Sequence, residues 1–179
     1  TKKLNENIME KMVEIAHELP VPDKTDDIGP VLVKILNQIV IVGTGEAGNL
    51  VKARLQNKIL LTEEQYEVVK YYILRNRVGY SILEPLFNDP YIEDIHCTGL
   101  GNIKLIHKIF DMLRCSIDFP EDIGLNKYIL ETSERVERPV SDSRPVVDAV
   151  MPDGSRVNFI YGREVSREGS SFTIRKFSE

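Results

Sequence analysis

Two arginines, Arg156 and Arg175, stand in short apolar runs at positions from which they can bind an anion. A guanidinium presents a rigid fork of N–H donors that pairs bidentately with phosphate or carboxylate oxygens, which the single point charge of lysine cannot do. The two residues therefore predict a site for a polyanion such as a nucleoside triphosphate. In the alternative interpretation the arginines simply pair with Asp148, Asp153 or Glu164.

The segment from residue 146 to 177 must position these arginines. Two apolar runs flank Pro152-Asp153-Gly154. Proline presets φ and glycine accepts a positive φ, so this tripeptide predicts a tight hairpin, and residues 171–177 predict a further strand. Side chains alternate along a strand, so each arginine is expected on the face opposite its apolar neighbours. The expected core-facing residues are Val157, Phe159, Tyr161, Phe172 and Ile174, and the expected opposite face carries Arg156, Asn158, Thr173 and Arg175.

Residues 92–145 complete a predicted sheet domain. Residues 92–97, 103–107 and 112–117 read as strands, with a short bend at Phe110-Asp111. Pro120 is expected at the first position of a helix that continues into the 130s. Three strands, a helix and three strands predict an α+β fold, with a largely antiparallel sheet and helices packed on one face.

Three helices are predicted within the first 78 residues. Apolar residues recur at three- and four-residue steps over residues 4–19 and again over residues 28–42, where Asp26 or Asp27 is the expected cap. Thr62 and Gln65 have the spacing of a capping box for a third helix that reaches about Val78.

Gly43-Thr44-Gly45-Glu46-Ala47-Gly48 matches the dinucleotide-binding pattern G-x-G-x-x-G. A nicotinamide-dependent oxidoreductase using Gly43, Gly45 and Gly48 would need a strand before this loop, a helix after it and an acidic residue about twenty positions on, for which Glu63 would serve. The upstream apolar spacing is helical, however, and Glu63 falls at a helix start. A turn between two helices is therefore the favoured interpretation, and the oxidoreductase remains an alternative.

The sequence gives little support for a metal site or for a catalytic nucleophile. His96, Cys97, His107 and Cys115 are the candidate zinc ligands, but adjacent strand residues point to opposite faces and no C-x-x-C spacing occurs. No G-x-S-x-G nucleophile motif is present. We therefore expect neither a metal site nor a catalytic serine.

Composition narrows the function classes further. The 179-residue chain has a formal net charge of -5, which argues against a general nucleic-acid binder. Its two cysteines make no disulfide framework, and neither a secretory signal nor a membrane span is evident. These features predict a cytoplasmic protein.

Three segments together resemble a known family. Residues 148–158 with 169–177, Gly79-Tyr80-Ser81-Ile82-Leu83-Glu84-Pro85-Leu86, and Asp89-Pro90-Tyr91-Ile92-Glu93-Asp94-Ile95 are similar to the N-terminal domain of the secretion ATPase superfamily. That family drives type II and type IV secretion, type IV pili and archaeal flagella, and the likeness is to its archaeal branch. It covers roughly residues 61–177, and implies a helical extension at residues 1–61 followed by a PAS-like domain at 62–179.

The resemblance implies roles for particular residues and partners. Arg156 and Arg175 match arginines that reach the γ-phosphate of ATP. Arg163, Arg167 and Lys176 lie in or near the polar loop between the last two strands and are secondary nucleotide-binding candidates by that position alone, although mixed charge there is more typical of a solvated loop. ATP and magnesium would be held mainly by a C-terminal RecA-like motor domain. Other implied partners are neighbouring subunits of a hexamer and a membrane platform protein, which places the protein at the inner face of the membrane.

The chain itself contains no G-x-x-x-x-G-K-[ST] phosphate loop. We therefore expect no ATP hydrolysis by these residues alone and expect the motor domain to follow Glu179 in the complete protein. The alternative is a stand-alone interaction or sensory module without a motor. One departure from the family is the bend at Ile109-Phe110-Asp111, where an aromatic-glycine turn is expected.

Overall fold

The computed structural model describes residues 2–17, 28–101 and 103–177, and for residues 2, 3 and 5 the backbone only. The chain forms two compact units, residues 1–84 and 85–179. The predicted boundary between residues 61 and 62 stays a prediction.

The first unit contains helices α1 (Lys2–Ala16), α2 (Ile28–Ile39), α3 (Ala47–Leu55) and α4 (Glu63–Arg77), with strands β1 (Val40–Val42) and β2 (Ile59–Leu61). Its core consists of Ile8, Met12, Ile35, Leu36, Ile39, Val40, Leu61, Val69 and Ile73. These residues come mainly from α1, α2 and α4, and the buried stripes of α1 and α2 confirm the two predicted amphipathic helices. The expected end of α1 and the caps Asp26 and Asp27 lie outside the described residues.

The start of α4 follows the predicted capping box. Thr62 accepts a hydrogen bond from the backbone N–H of Gln65, and the Gln65 side chain accepts one from the backbone N–H of Thr62. Two backbone donors of the first turn are thereby satisfied, so this helix begins at Glu63 for a local reason.

The predicted continuation of the second helix to Val42 is wrong. The helix ends at Ile39, and β1 pairs in parallel with β2, Ile41 lying opposite Leu60. Four consecutive β-branched residues, Ile39 to Val42, suit a strand better than a helix interior, and β2 supplies the hydrogen-bonding partner. The predicted turn between two helices is consequently a strand, a loop and the helix α3.

The second unit is an antiparallel six-stranded sheet in the order β5-β4-β3-β8-β7-β6. Its elements are β3 (Ile92–Thr98), β4 (Ile103–His107), β5 (Asp111–Arg114), α6 (Asp122–Arg135), β6 (Val146–Val150), β7 (Arg156–Ile160) and β8 (Ser171–Arg175), preceded by the short helix α5 (Glu84–Phe87). This βββαβββ order confirms the predicted α+β fold.

Packed aromatic side chains bury one face of the sheet. The Phe172 ring lies 5.4 Å from the Tyr128 ring of α6 and 6.2 Å from the Phe119 ring, measured between ring centroids. Phe159 pairs with Phe172 in register, and both are buried. The opposite face of these strands therefore remains available to solvent.

The start of α6 and the bend before β5 both differ from what the sequence led us to expect. Pro120 is not the first helical residue: α6 begins at Asp122, because Glu121 is the extended cap residue whose carbonyl accepts from Gly124 and Leu125. The bend before β5 places Asp111 at φ +56°, a conformation that favours glycine but that aspartate tolerates. The loop thus turns without the glycine that the family resemblance led us to expect.

Candidate functional site

Arg156 of β7 and Arg175 of β8 are direct cross-strand neighbours. Both side chains are exposed, whereas the next residues inward, Val157 and Ile174, are buried on the other face. Residues directly opposite in an antiparallel pair have Cβ atoms about 5 Å apart. The structure therefore brings the two predicted arginines together on the solvent face of the sheet.

The hairpin turn holds both arginines in place. Gly154 adopts φ +87°, and the Ser155 hydroxyl donates to Asp153 Oδ2 at 2.6 Å. The same hydroxyl accepts the backbone N–H of Phe177 at 3.0 Å. Buried Ser155 thus joins the turn just before Arg156 to the chain just after Arg175.

Arg175 has a carboxylate partner on the neighbouring strand. Its Nε donates to Asp94 Oδ1 at 3.0 Å, and Asp94 lies opposite Arg175 in the pairing of β3 with β8. The hydrogen bond from Arg175 to Asp94, together with the negative charge of that carboxylate, raises the pKa of Arg175 above its ordinary value. The side chain of Arg156 makes no hydrogen bond or ion pair with any residue that the structure describes.

A shallow depression of about 650 Å³ surrounds the pair, and we call it the arginine groove. Its polar side chains are partly tied to one another: Asn158 Nδ2 donates to Asp148 Oδ1 at 2.9 Å, and His96 Nδ1 lies 3.3 Å from Thr173 Oγ1. The lining residues are Asp94, His96, Val136, Arg138, Asp148, Ala149, Val150, Arg156, Val157, Asn158, Thr173 and Arg175.

The groove has the charge that an anion requires. Three arginines against two aspartates make its formal charge positive with His96 neutral, although the chain as a whole carries -5. Since the two arginines are cross-strand neighbours, their guanidinium groups together offer more N–H donors than one phosphate oxygen can use. The arrangement can bind a phosphate or carboxylate group.

The secondary candidates lie elsewhere. Arg163 pairs with Asp122 of α6, and Arg167 is exposed in the loop after β7. This loop begins four residue steps, about 13 Å, along β7 from Arg156. Lys176 donates to the carbonyls of Leu86 and Asp89, and burial lowers its pKa. The structure thus does not bring these three cations to the arginine groove.

Sequence reasoning missed three charged or polar residues of the groove: Asp94, His96 and Arg138. Alternation along β3 does place Asp94 and His96 on one face. Their presence beside Arg175 depends on β3 lying next to β8, which no local pattern indicates. Arg138 follows the end of α6, and we find no sequence signal that would have identified it.

The second candidate site is the glycine loop, residues 43–48, between β1 and α3. The N-cap of α3, Glu46, makes no capping hydrogen bond with its side chain. A Cβ added at Gly45 or Gly48 would meet nothing within 4 Å, so no close packing requires glycine there. The loop has the element order of a dinucleotide site without the tight helix–strand contact that the third glycine serves in such sites.

The suggested zinc ligands do not converge. Cys97 is buried beneath the sheet, where desolvation raises its pKa from 9.0 to about 12, while His96 lies on the groove face. Over the described ranges no three His, Cys, Asp or Glu side chains are grouped to hold a metal ion. In the same residues no helix is both long and apolar enough to span a membrane.

No family model matches the chain. Curated relatives include three uncharacterized proteins of Methanocaldococcus jannaschii. The first is 40% identical over 176 residues, which are 96% of this chain and 32% of that protein. The other two are each 30% identical over 110 residues, covering 61% of this chain and 44% or 15% of their own lengths. The chain therefore spans about a third of the length of the first relative.

Among solved structures, the chain is similar to the VirB11 ATPase from the Brucella suis type IV secretion system, solved in complex with sulphate. The sequence identity is 27%, over 55% of this chain and 31% of the other, with a TM-score of 0.47.

Proposed function

We propose that this chain is the N-terminal, nucleotide-clamping portion of an ATPase that powers protein secretion or the assembly of a pilus or flagellum. The observation that carries the proposal is the pair Arg156 and Arg175, side by side on an exposed sheet face. The resemblance of residues 61–177 to the N-terminal domain of secretion ATPases supports it.

Like charges directly opposite each other on a sheet are destabilising, so this pair is costly unless an anion binds to it. Asp94 neutralises one guanidinium, and the other has no partner among the described residues. A terminal phosphate bound beside these two cross-strand neighbours would place negative charge near both guanidinium groups. In phosphoryl transfer, an arginine so placed stabilises the charge that develops on the transferred group.

In this proposal the arginine groove closes over ATP whose phosphates and magnesium are held mainly by a motor domain in the rest of the protein. Arg156 and Arg175 then bind and orient the terminal phosphate. Opening and closing would move neighbouring subunits of a hexamer and a membrane platform protein on the inner face of the membrane. The matched region is only 32% of the first relative, so a protein of that length has room for a further domain.

The test is steady-state ATP hydrolysis by the complete protein carrying Arg156→Ala, Arg175→Ala or both. Each single change is expected to lower turnover by roughly 10³-fold or more, with ATP affinity nearly unchanged, because the arginines act mainly on the transition state. Lys104→Ala is the matched control: Lys104 is an exposed cation in register with His96, on the groove face but outside the groove.

Equal turnover in the wild type and both arginine variants would overturn the proposal. Loss of turnover in Lys104→Ala as well would point to a general effect of surface charge. A complete protein that neither binds nor hydrolyses ATP would favour a stand-alone interaction module, in which the groove takes a different anion.

A further inference from the structure

The contact between Arg175 and Asp94 uses one particular edge of the guanidinium. The hydrogen bond runs from Nε to Oδ1 at 3.0 Å. Within the described part of the chain, neither Nη atom of Arg175 donates a hydrogen bond. The guanidinium has five N–H donors, so the contact leaves four of them, all on the two Nη atoms, for another acceptor.

Asp94 lies on an interior strand of the sheet. Its backbone pairs with Arg175 on one side and, beside an irregularity in the register, with Ile106 on the other, and its side chain is only 16% exposed, against 77% for Arg175. A carboxylate on a central strand has little freedom to follow a mobile partner. Arg175 must therefore adapt to Asp94.

We propose that Asp94 is a positioning residue that holds Arg175 by Nε and keeps its Nη edge turned toward Arg156 and the groove. This inference rests on the proposed function and adds a residue that acts through Arg175. The row Arg156, Arg175, Asp94 crosses three neighbouring strands, so the carboxylate also offsets the repulsion between the two arginines.

A carboxylate can also have the opposite role, which is to sequester an arginine from its ligand. A carboxylate that withheld an arginine from its ligand would be expected to occupy the Nη edge in a bidentate pair. Because the observed bond is to Nε, the Arg175 fork stays available while the side chain is fixed. Removal of Asp94 should therefore weaken the action of Arg175 instead of releasing it.

The test is a double-mutant cycle on ATP hydrolysis by the complete protein, with Asp94→Ala, Arg175→Ala and the double variant. Asp94→Ala is expected to lower kcat by roughly 10- to 100-fold, because a displacement of about 1 Å at a reacting group has an effect of this size. In the Arg175→Ala background the same change should have almost no further effect. A merely structural role would lower kcat equally in both backgrounds.

Two further substitutions at Asp94 test whether the acceptor oxygen and its position matter for activity. Asp94→Asn keeps an oxygen acceptor for Nε and should retain most of the activity, whereas Asp94→Glu moves the carboxylate by one methylene and should lose part of it. Should the alanine variant not fold, Asp94→Glu replaces it in the same cycle with Arg175→Ala. Asp142→Ala is the control, since this exposed carboxylate lies outside the groove and should show no coupling to Arg175.

The outcomes separate the two proposals. If Arg175→Ala has no effect on turnover, the positioning role fails, and if Arg156→Ala has no effect either, the proposed function fails with it. If Arg175→Ala lowers turnover but Asp94→Ala matches the wild type or exceeds it, only the positioning role is overturned. Additive effects of Asp94→Ala and Arg175→Ala would also overturn the positioning role.

Discussion

The glycine loop and the arginine groove both carry residue types found in nucleotide sites, but they differ in what the fold does with them. The loop matches a motif letter for letter, yet Gly45 and Gly48 face open space, and the strands beside it are three residues long. The two central arginines of the groove, by contrast, do not form a short sequence motif. They are nineteen positions apart in the chain and adjacent in space.

The difference shows that a motif depends on the structure around it. A dinucleotide loop works because its glycines let a helix and a phosphate approach the strand closely. An arginine site works because side chains from separate strands converge on a rigid surface. The groove rests on a six-stranded sheet whose other face buries Phe159 and Phe172, whereas the glycine loop follows a two-stranded pairing of three residues each.

The largest effect is expected from Phe172→Ala. Phe172 is buried against Tyr128 and Phe119, and removing a buried aromatic ring costs about 3–5 kcal/mol through lost contacts and the cavity left behind. The free energy of unfolding from urea titration measures this loss. Phe110→Ala, which removes a ring that is 65% exposed, should cost far less. Similar losses in both variants would show that the sheet face carrying Phe172 is not shielded from water.

Through the pH dependence of stability, Cys97 tests whether the same buried face of the sheet excludes water. Its pKa in the folded protein is raised to about 12 from 9.0, so folding favours the neutral thiol. This contribution is fully present below pH 9 and is lost as the pH rises through about 12, at about 1.4 kcal/mol for each pH unit. Urea titrations of the wild type and Cys97→Ala from pH 8 to 11 should therefore converge as the pH rises. Parallel pH profiles would mean that Cys97 is not desolvated.

Gly154 lies in the hairpin beside the arginine groove, and Gly45 lies in the glycine loop. The same substitution to alanine at these two positions compares the two regions. Gly154 adopts φ +87°, and an added Cβ would lie 3.3 Å from Phe177 Cγ, so Gly154→Ala should cost about 1–2 kcal/mol. An added Cβ at Gly45 meets no atom within 4 Å, so Gly45→Ala should change stability by less than about 0.5 kcal/mol. Thermal unfolding of the two variants measures the contrast. A larger loss in Gly45→Ala would reverse it.

The glycine loop can still be tested as a cofactor site, since its strand–loop–helix order fits the oxidoreductase alternative better than the predicted turn did. That alternative requires saturable NADH binding that is lost in Gly45→Val. We expect a flat fluorescence titration with NADH in both proteins. Saturation in the wild type alone would make the glycine loop the functional site.

Several features of this protein were determined by the sequence on its own. The hairpin at Pro152-Asp153-Gly154, the exposed face of Arg156 and Arg175, and the capping box of Thr62 and Gln65 all follow from residues a few positions apart. Backbone preferences, strand alternation and helix caps act over such distances, so local patterns were sufficient to predict them.

Other features were decided only by the tertiary structure. Asp94 reaches Arg175 because β3 lies beside β8, although 81 residues separate the two. Likewise Val40–Val42 become a strand only because Ile59–Leu61 lie alongside, and without that partner a short apolar run fits a helix equally well. The physical reason is that strand pairing is a long-range interaction: its hydrogen bonds join segments that no local pattern relates to each other.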